Sequence, residues 1–435
     1  MASDSGLENN LALSEASAAF EQGDIDRAAT ICSKMVDKGA NSSRLYGLLG
    51  RIYHATGRAE FASKMFRKSL DLDQHNSETI FHLSAFLEEY GDFEEALKAY
   101  RYALTYDSGY ADRRVNRALH FFRNNDLELG WREYEFRSTL EKPGAWVDRF
   151  WDGSDISNKT ILVIGEQGIG DQIMFATCLP ELIKIAGHVI IEPDARLVPM
   201  FRRTFPDCTV VGERCFRSDS DRQQKEVDEI VADTAVMMGS VPRFFRQTLE
   251  HFPAQAPQVL VPDPDTVERL HKGLPRREGV SKIGISWRSL FPTDNRSSKY
   301  PPLESWAPLF ENTDATFVSL QANLNDTERK MFRDCFNVEL IEVDNVDLID
   351  DVESTISLIA SLDSVVSAKS YIAWFSAGAG GRIWRVNTGT RSDDPWLFGT
   401  QNLCWFPHMT VLCEHNDGGF EAIFRRIADD LLQQP

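Results

Sequence analysis

Apolar and small positions in the first third of the chain recur every 34 residues. Glycines stand at 23, 57 and 91, and the next place in the series is Asn125, the other residue that tolerates a left-handed turn. Five residues after each comes a small residue (Ala28, Ala62, Ala96, Gly130), and nine after comes Cys32, Phe66, Tyr100 and Tyr134. Small residues let two helices approach and larger ones fill the groove, so each period predicts a helical hairpin that buries its apolar face only against its neighbours. From Thr160 the pattern changes. Short β-branched runs at 161–164, 189–192 and 209–211 alternate with helical spacing over 171–186 and 195–204, which predicts a parallel sheet. Prolines at 253, 257, 262 and 264 interrupt this series and mark a linker. A second series follows, with strands expected at 282–287, 316–320, 338–342, 364–367, 383–387 and 409–412 and helices over 352–361, 371–379 and 419–432.

The 34-residue unit resembles the tetratricopeptide repeat, and four units fit residues 7 to 140. The resemblance implies a concave face that holds a protein partner. Arg44, Tyr46, Arg51, His82, Arg113, Arg114, Asn116 and Arg117 are the polar helix positions available to such a partner. A purely structural spacer is the competing reading.

Composition narrows the classes. A chain of 435 residues with 42% hydrophobic and 26% charged residues is globular and long enough for several domains. A formal charge of −19 argues against a nucleic-acid binder, which needs clustered cations to displace counterions. Seven scattered cysteines without a CxxC pair indicate neither a disulfide framework nor a zinc site. The N-terminus lacks the basic and apolar regions of a signal peptide, and no apolar run of about 18 residues occurs. A cytoplasmic protein without a transmembrane segment is expected.

Two places carry candidate chemistry. The first is the turn after 161–164, where Gly165, Gly168 and Gly170 let the backbone approach a ligand and Asp171 begins the helix. Two open sheets joined by a linker form a cleft at the carboxyl ends of their strands, and this turn faces it. Across the cleft, Lys369 and Ser370 lead into a helix whose first N–H groups, at Tyr371 and Ile372, suit a phosphate. A loop carrying Arg288, Ser289, Arg296, Ser298, Lys299 and Tyr300 adds further cations to an acidic protein. Plain alternatives stand beside both: Asp171 as a helix cap, and the loop charges as solvation. Other motifs are set aside. The turn is not GxGxxG, no P-loop is present, Asp263-Pro264-Asp265 reads as a helix cap, and the acids from Asp344 to Glu353 read as a solvated loop and helix start. The aromatic group Trp396, Phe398, Trp405 and Phe406 reads as core.

Three stretches together resemble bacterial proteins that fuse tetratricopeptide repeats to a heptosyltransferase-like GT-B glycosyltransferase domain: LGWREYEFR at 129–137, GEQGIGDQIMFATCLP at 165–180, and IGISWRS at 283–289 with FVSLQ at 317–321 and LIASLDSVVS at 358–367. The resemblance implies an α/β fold in which an α-solenoid (1–140) precedes two Rossmann-like halves, the acceptor side at 141–265 and the donor side at 266–435. It implies Asp171 as catalytic base, with Gly168, Gly170 and Gln172 forming the acceptor-side turn. Trp287, Arg288, Ser289, Arg296, Tyr300, Gln321, Lys369, Ser370, Tyr371 and Trp374 become the donor-binding positions. One departure stands out: Lys369 and Trp374 occupy places where the family usually carries Asp and His. The expected activity is metal-independent, inverting transfer of a sugar, for which a nonulosonic acid and a flagellin acceptor are the leads, from a CMP-sugar or NDP-sugar co-substrate. No resident cofactor is expected. The rival is a non-catalytic repeat scaffold with a degenerate transferase domain.

Overall fold

The structure, a computed structural model, describes residues 2–90, 111–135, 137, 150–212, 231–289 and 300–432. It divides into two compact units, Met1–Phe121 with Phe136–Ser138, and Phe122–Glu135 with Thr139–Pro435.

The first unit is helical, with Ala2–Glu21, Ile25–Asp37, Ser43–Ala55, Ala59–Leu72 and Ser77–Glu89 as antiparallel neighbours. The 34-residue register is a backbone register. Gly23 and Gly57 have φ of 84° and 71°, and Asn125 repeats the conformation at 60°. Gly91, Ala96 and Tyr100 lie outside the described residues. Ala28, Cys32, Ala62 and Phe66 are buried where the helices meet. A side chain at Gly50 would sit 2.5 Å from the Phe66 ring, so the close crossing requires glycine there. Of the positions proposed to face a partner, Tyr46 is buried, with Lys68 Nζ 4.0 Å from its ring centroid, and Arg51 is ion-paired to Glu78 at 3.1 Å. Tyr46 is therefore core: the apolar stripe of its helix carries it inward.

The second unit contains two all-parallel sheets. Strands β1 (Thr160–Ile164), β2 (His188–Glu192), β3 (Thr209–Val210) and β4 (Thr234–Met237) lie in the order β3-β2-β1-β4. Strands β5 (Ser281–Ser286), β6 (Ala315–Ser319), β7 (Ser364–Ala368), β8 (Ile383–Asn387) and β9 (Met409–Cys413) lie in the order β6-β5-β7-β8-β9. Helices cover the sheets, so β7 and β8 are buried along their whole length, as parallel strands require. The closing helix Gly419–Leu432 packs Phe424 on Trp306, with ring centroids 4.6 Å apart. The linker is tied down: Val259 and Leu260 both donate to the Gly378 carbonyl at 3.0 Å. The Arg203 guanidinium adds a bridge from the first half to both oxygens of Glu353, at 2.6 and 2.7 Å.

Two expectations are corrected. The helix expected over 171–186 is two, Ile169–Ala176 and Leu179–Ile185, because Pro180 lacks the N–H that a continuous helix would need. Residues 338–342 form no strand; only Ile341 bridges, to Val318 at the edge of the second sheet. Helix Leu127–Tyr134, in the fourth repeat by register, packs with the α/β unit.

That helix is anchored by Trp131. Its indole N–H donates to the Arg246 carbonyl at 2.7 Å, and its ring meets Phe122, Phe175, Trp396, Phe398 and Trp405 at centroid distances of 4.5 to 6.5 Å. Trp396, Phe398 and Trp405 thus belong to this packing. Among the described residues no helix is long and apolar enough to cross a membrane.

Candidate active site

In each sheet the chain leaves a central strand toward one side and later returns to the other, between β1 and β4 and between β5 and β7. Such switch points open a crevice at the carboxyl ends of the strands. The Gly-rich turn leaves β1, and Lys369 leaves β7.

The turn is built from tight backbone contacts. Gly165 N–H donates to the Glu192 carbonyl at 2.7 Å, and a Cβ there would lie 2.6 Å from that oxygen. Gln167 is held at φ 62°, and its side-chain amide lies within 2.7 to 2.9 Å of the Tyr134 hydroxyl, so the anchored junction helix also supports the turn. Gly168 caps helix Ile169–Ala176, and Asp171 is its third residue. Asp171 Oδ2 accepts the Gly168 N–H at 3.2 Å. Burial, offset by that bond and aided by the neighbouring Glu166 charge, raises the Asp171 carboxyl above the ordinary aspartate range. Asp171 is thus a capping carboxylate of increased basicity. Glu166 is buried at the switch point and accepts Gly239 N–H at 3.0 Å. Gln172 is also buried, and its oxygen accepts Asp194 N–H at 2.8 Å, so its amide braces the loop after β2.

The donor-binding candidates separate into two groups. After β5, Gln321 Oε1 accepts the N–H groups of Trp287 and Arg288 at 3.1 and 3.0 Å. Arg288 grips Glu328 with two hydrogen bonds, Nε to Oε1 at 2.7 Å and Nη2 to Oε2 at 2.9 Å, and Nη2 also reaches the Asn323 carbonyl at 2.8 Å. Trp287 is core, and its indole N–H donates to Glu328 at 2.9 Å. Burial alone would raise the Glu328 carboxyl; Arg288 and the Asn325 and Trp287 N–H groups reverse that and lower it. Arg288, expected to contact a donor, is thus ion-paired to Glu328, and Gln321, expected likewise, braces the backbone at Trp287 and Arg288. Ser289 and Tyr300 are half-buried beside this group in sequence. Arg296, Ser298 and Lys299 lie outside the described residues.

After β7 the arrangement differs. Ser370 begins helix Tyr371–Gly378 with no side-chain cap; its hydroxyl pairs with Ser367 Oγ at 3.0 Å. The first N–H groups of the helix keep their positive end toward the crevice. Tyr371 turns its hydroxyl to the Leu348 carbonyl at 3.0 Å, and burial pushes that phenol up to about 12. Lys369 Nζ lies 3.3 Å from Asp394 Oδ2. Trp374 reaches the opposite lip: a Cβ on Gly170 would meet its ring at 2.8 Å. One turn on, a Cβ on Gly378 would meet Ile173 at 2.7 Å. The two helices therefore pack against each other, with Asp171 following Gly170 on one of them and Lys369 preceding the other.

Three residues of this region escaped the sequence reading. Glu166 sits within a Gly-rich turn and Asp394 just before Pro395, and neither position carries a spacing that marks it. Arg385 carried a signal, a lone charge within the apolar 383–387 run. The acids near Glu353 act as expected: Asp351 and Asp263 cap helices, accepting from Ser354 and Thr266 N–H at 2.9 and 3.0 Å. Among the described residues no group of three or more His, Cys, Asp or Glu could hold a metal ion.

A tetratricopeptide-repeat family model matches residues 43–76. Protein FlbA of Caulobacter vibrioides is 27% identical over 412 residues, covering 90% of this chain and 68% of that protein. Among solved structures, a glycosyltransferase of family 9 from Veillonella parvula aligns with 64% of this chain and 98% of its own, at 12% identity and a TM-score of 0.43. PilF of Pseudomonas aeruginosa aligns with 29% of this chain and 58% of its own, at 18% identity and a TM-score of 0.27. The chain thus combines a tetratricopeptide-repeat N-terminus with Rossmann-type parallel sheets in its C-terminal region.

Proposed function

We propose that the chain is an inverting glycosyltransferase that moves a sugar from a nucleotide-sugar to a protein held by its repeats. The observation that carries this reading is the meeting of two strand-to-helix turns: Asp171, a carboxylate of raised basicity, follows the Gly170 that packs against Trp374 of the uncapped helix behind Lys369. An acceptor hydroxyl oxygen attacks the anomeric carbon while Asp171 takes its proton. The bond from that carbon to the leaving phosphate oxygen breaks, and its electron pair stays on the phosphate. Lys369, Ser370 and the N–H groups of Tyr371 and Ile372 receive the charge, which supports a reaction without a metal. Sugar, nucleotide and acceptor follow only the family resemblance, with CMP-sugar or NDP-sugar as donor and flagellin as the first acceptor to try, in the cytoplasm.

The test is intact-mass spectrometry of a co-expressed acceptor. A glycan added by wild type and absent with Asp171→Asn supports the reading. Modification that survives Asp171→Asn removes Asp171 from the chemistry, and none in either favours a non-catalytic scaffold. A thermal-shift panel of CMP, UDP and ADP identifies the donor class through the nucleotide that stabilises the fold.

A further inference from the structure

Behind Lys369 lies a pair of charges that the reaction above does not use. Arg385 on β8 and Asp394 in the following loop are each 1% exposed, and Arg385 Nη2 donates to Asp394 Oδ2. The same oxygen is the one 3.3 Å from Lys369 Nζ, and Lys369 is 43% exposed. Asp394 Oδ1 accepts the Trp396 N–H at 3.3 Å, which fixes the carboxylate plane. Arg385 Nε and Nη1 have no hydrogen-bond partner among the described residues, and its guanidinium lies 5.4 Å from the Trp374 ring centroid. Two cations thus share one carboxylate, and the chain of contacts runs from the interior to an ammonium at an uncapped helix start.

As a device for stability this is a poor arrangement. A buried ion pair with two unsatisfied N–H groups is no better than apolar packing of the same volume. Its geometry makes sense as a mount. An isolated lysine has four rotatable bonds and samples many positions, whereas an ammonium tethered to a buried, doubly held carboxylate stays where that carboxylate sits.

We infer that Asp394, clamped by Arg385, is a positioning residue that holds Lys369 at the start of helix Tyr371–Gly378 to receive a phosphate-class anion. The inference rests on the reading of that helix start as the leaving-group side. It makes a prediction of unusual sign. Asp394→Asn removes a negative charge beside the site, so simple electrostatics strengthens anion binding; loss of the mount weakens it.

The experiment is titration calorimetry of the full chain with inorganic pyrophosphate. Wild type binds, and Lys369→Gln and Asp394→Asn each lose about tenfold or more, the size of one charge-assisted contact. The double variant is no worse than Lys369→Gln alone, because Asp394 acts through the ammonium. If Asp394→Asn does not fold, the pair Arg385→Met with Asp394→Leu replaces both charges by apolar packing and shows the same loss. Binding by Asp394→Asn as tight as wild type or tighter, losses that add in the double variant, or no binding by wild type overturns the inference. An intact pyrophosphate pattern in a protein that transfers no sugar overturns the proposed function alone.

Discussion

Truncating Trp131 to alanine destabilises the α/β unit and leaves the repeat unit as it was. Trp131 is 2% exposed. A buried indole removes on the order of 200 Å² from water, about 5 kcal/mol at roughly 25 cal/mol per Å². Truncations of this kind cost about 3–5 kcal/mol once the site relaxes. The Arg246 carbonyl loses its donor as well, adding about 1 kcal/mol. Trp131→Phe keeps most of the ring and costs about 1–2 kcal/mol, mainly that hydrogen bond. The assay is guanidinium denaturation followed by two probes. All nine tryptophans lie after Phe121, so tryptophan fluorescence reports the α/β unit and far-ultraviolet dichroism reports both. Trp131→Ala lowers the fluorescence midpoint. Phe66→Ala, a fully buried repeat residue, leaves that midpoint in place and shifts only part of the dichroism curve. The reasoning is refuted if Trp131→Ala leaves the fluorescence midpoint unchanged, or if its loss appears only in the repeat transition.

Gly378→Ala places a methyl 2.7 Å from both Ile173 and Leu260, so overpacking exceeds the gain in helix propensity and the net loss is about 1–2 kcal/mol; a variant more stable than wild type in chemical denaturation contradicts this. Arg288→Lys breaks the two-bond grip on Glu328 and costs about 1–3 kcal/mol, read from the same fluorescence transition, with a neutral result refuting a structural contribution from that grip. Asp171 gives a pH signature. Its folded carboxyl titrates above the ordinary aspartate value, so the native state binds the proton more tightly and stability falls as pH rises through that window. Asp171→Asn is therefore more stable than wild type at pH 7, and the advantage shrinks as pH falls through that window to the ordinary aspartate value. A constant difference across pH rejects the raised carboxyl.

The large elements were legible because their patterns are local. The left-handed turns at Gly23, Gly57 and Asn125 followed from one spacing, and the β1 turn followed from a β-branched run meeting three glycines. What escaped depends on partners distant in sequence. No spacing ties Arg288 to Glu328, forty residues on, so the ion pair that holds this cation was not legible. Residues 338–342, with Val338, Leu340 and Ile341, are apolar enough for a strand, yet only Ile341 meets the sheet edge, since side-chain pattern does not create a neighbour to pair with. β4 has four residues, too short to stand out before its position beside β1 is known. Arg385 within an apolar strand was the one visible sign of the buried charges.

The turn at Asn125 separates two kinds of variation. In a repeat array each hairpin answers chiefly to its neighbours, so whole units of 34 residues ahead of the last helix before this turn can be gained or lost without reopening a distant core. On its C-terminal side the helix that carries Trp131 is tied to residues more than a hundred positions away, at Arg246. Relatives should therefore differ in repeat number by complete cassettes inserted ahead of this turn, while the stretch just after it resists both insertion and deletion. A lineage can then alter which partner is grasped by counting repeats, leaving the α/β machinery untouched.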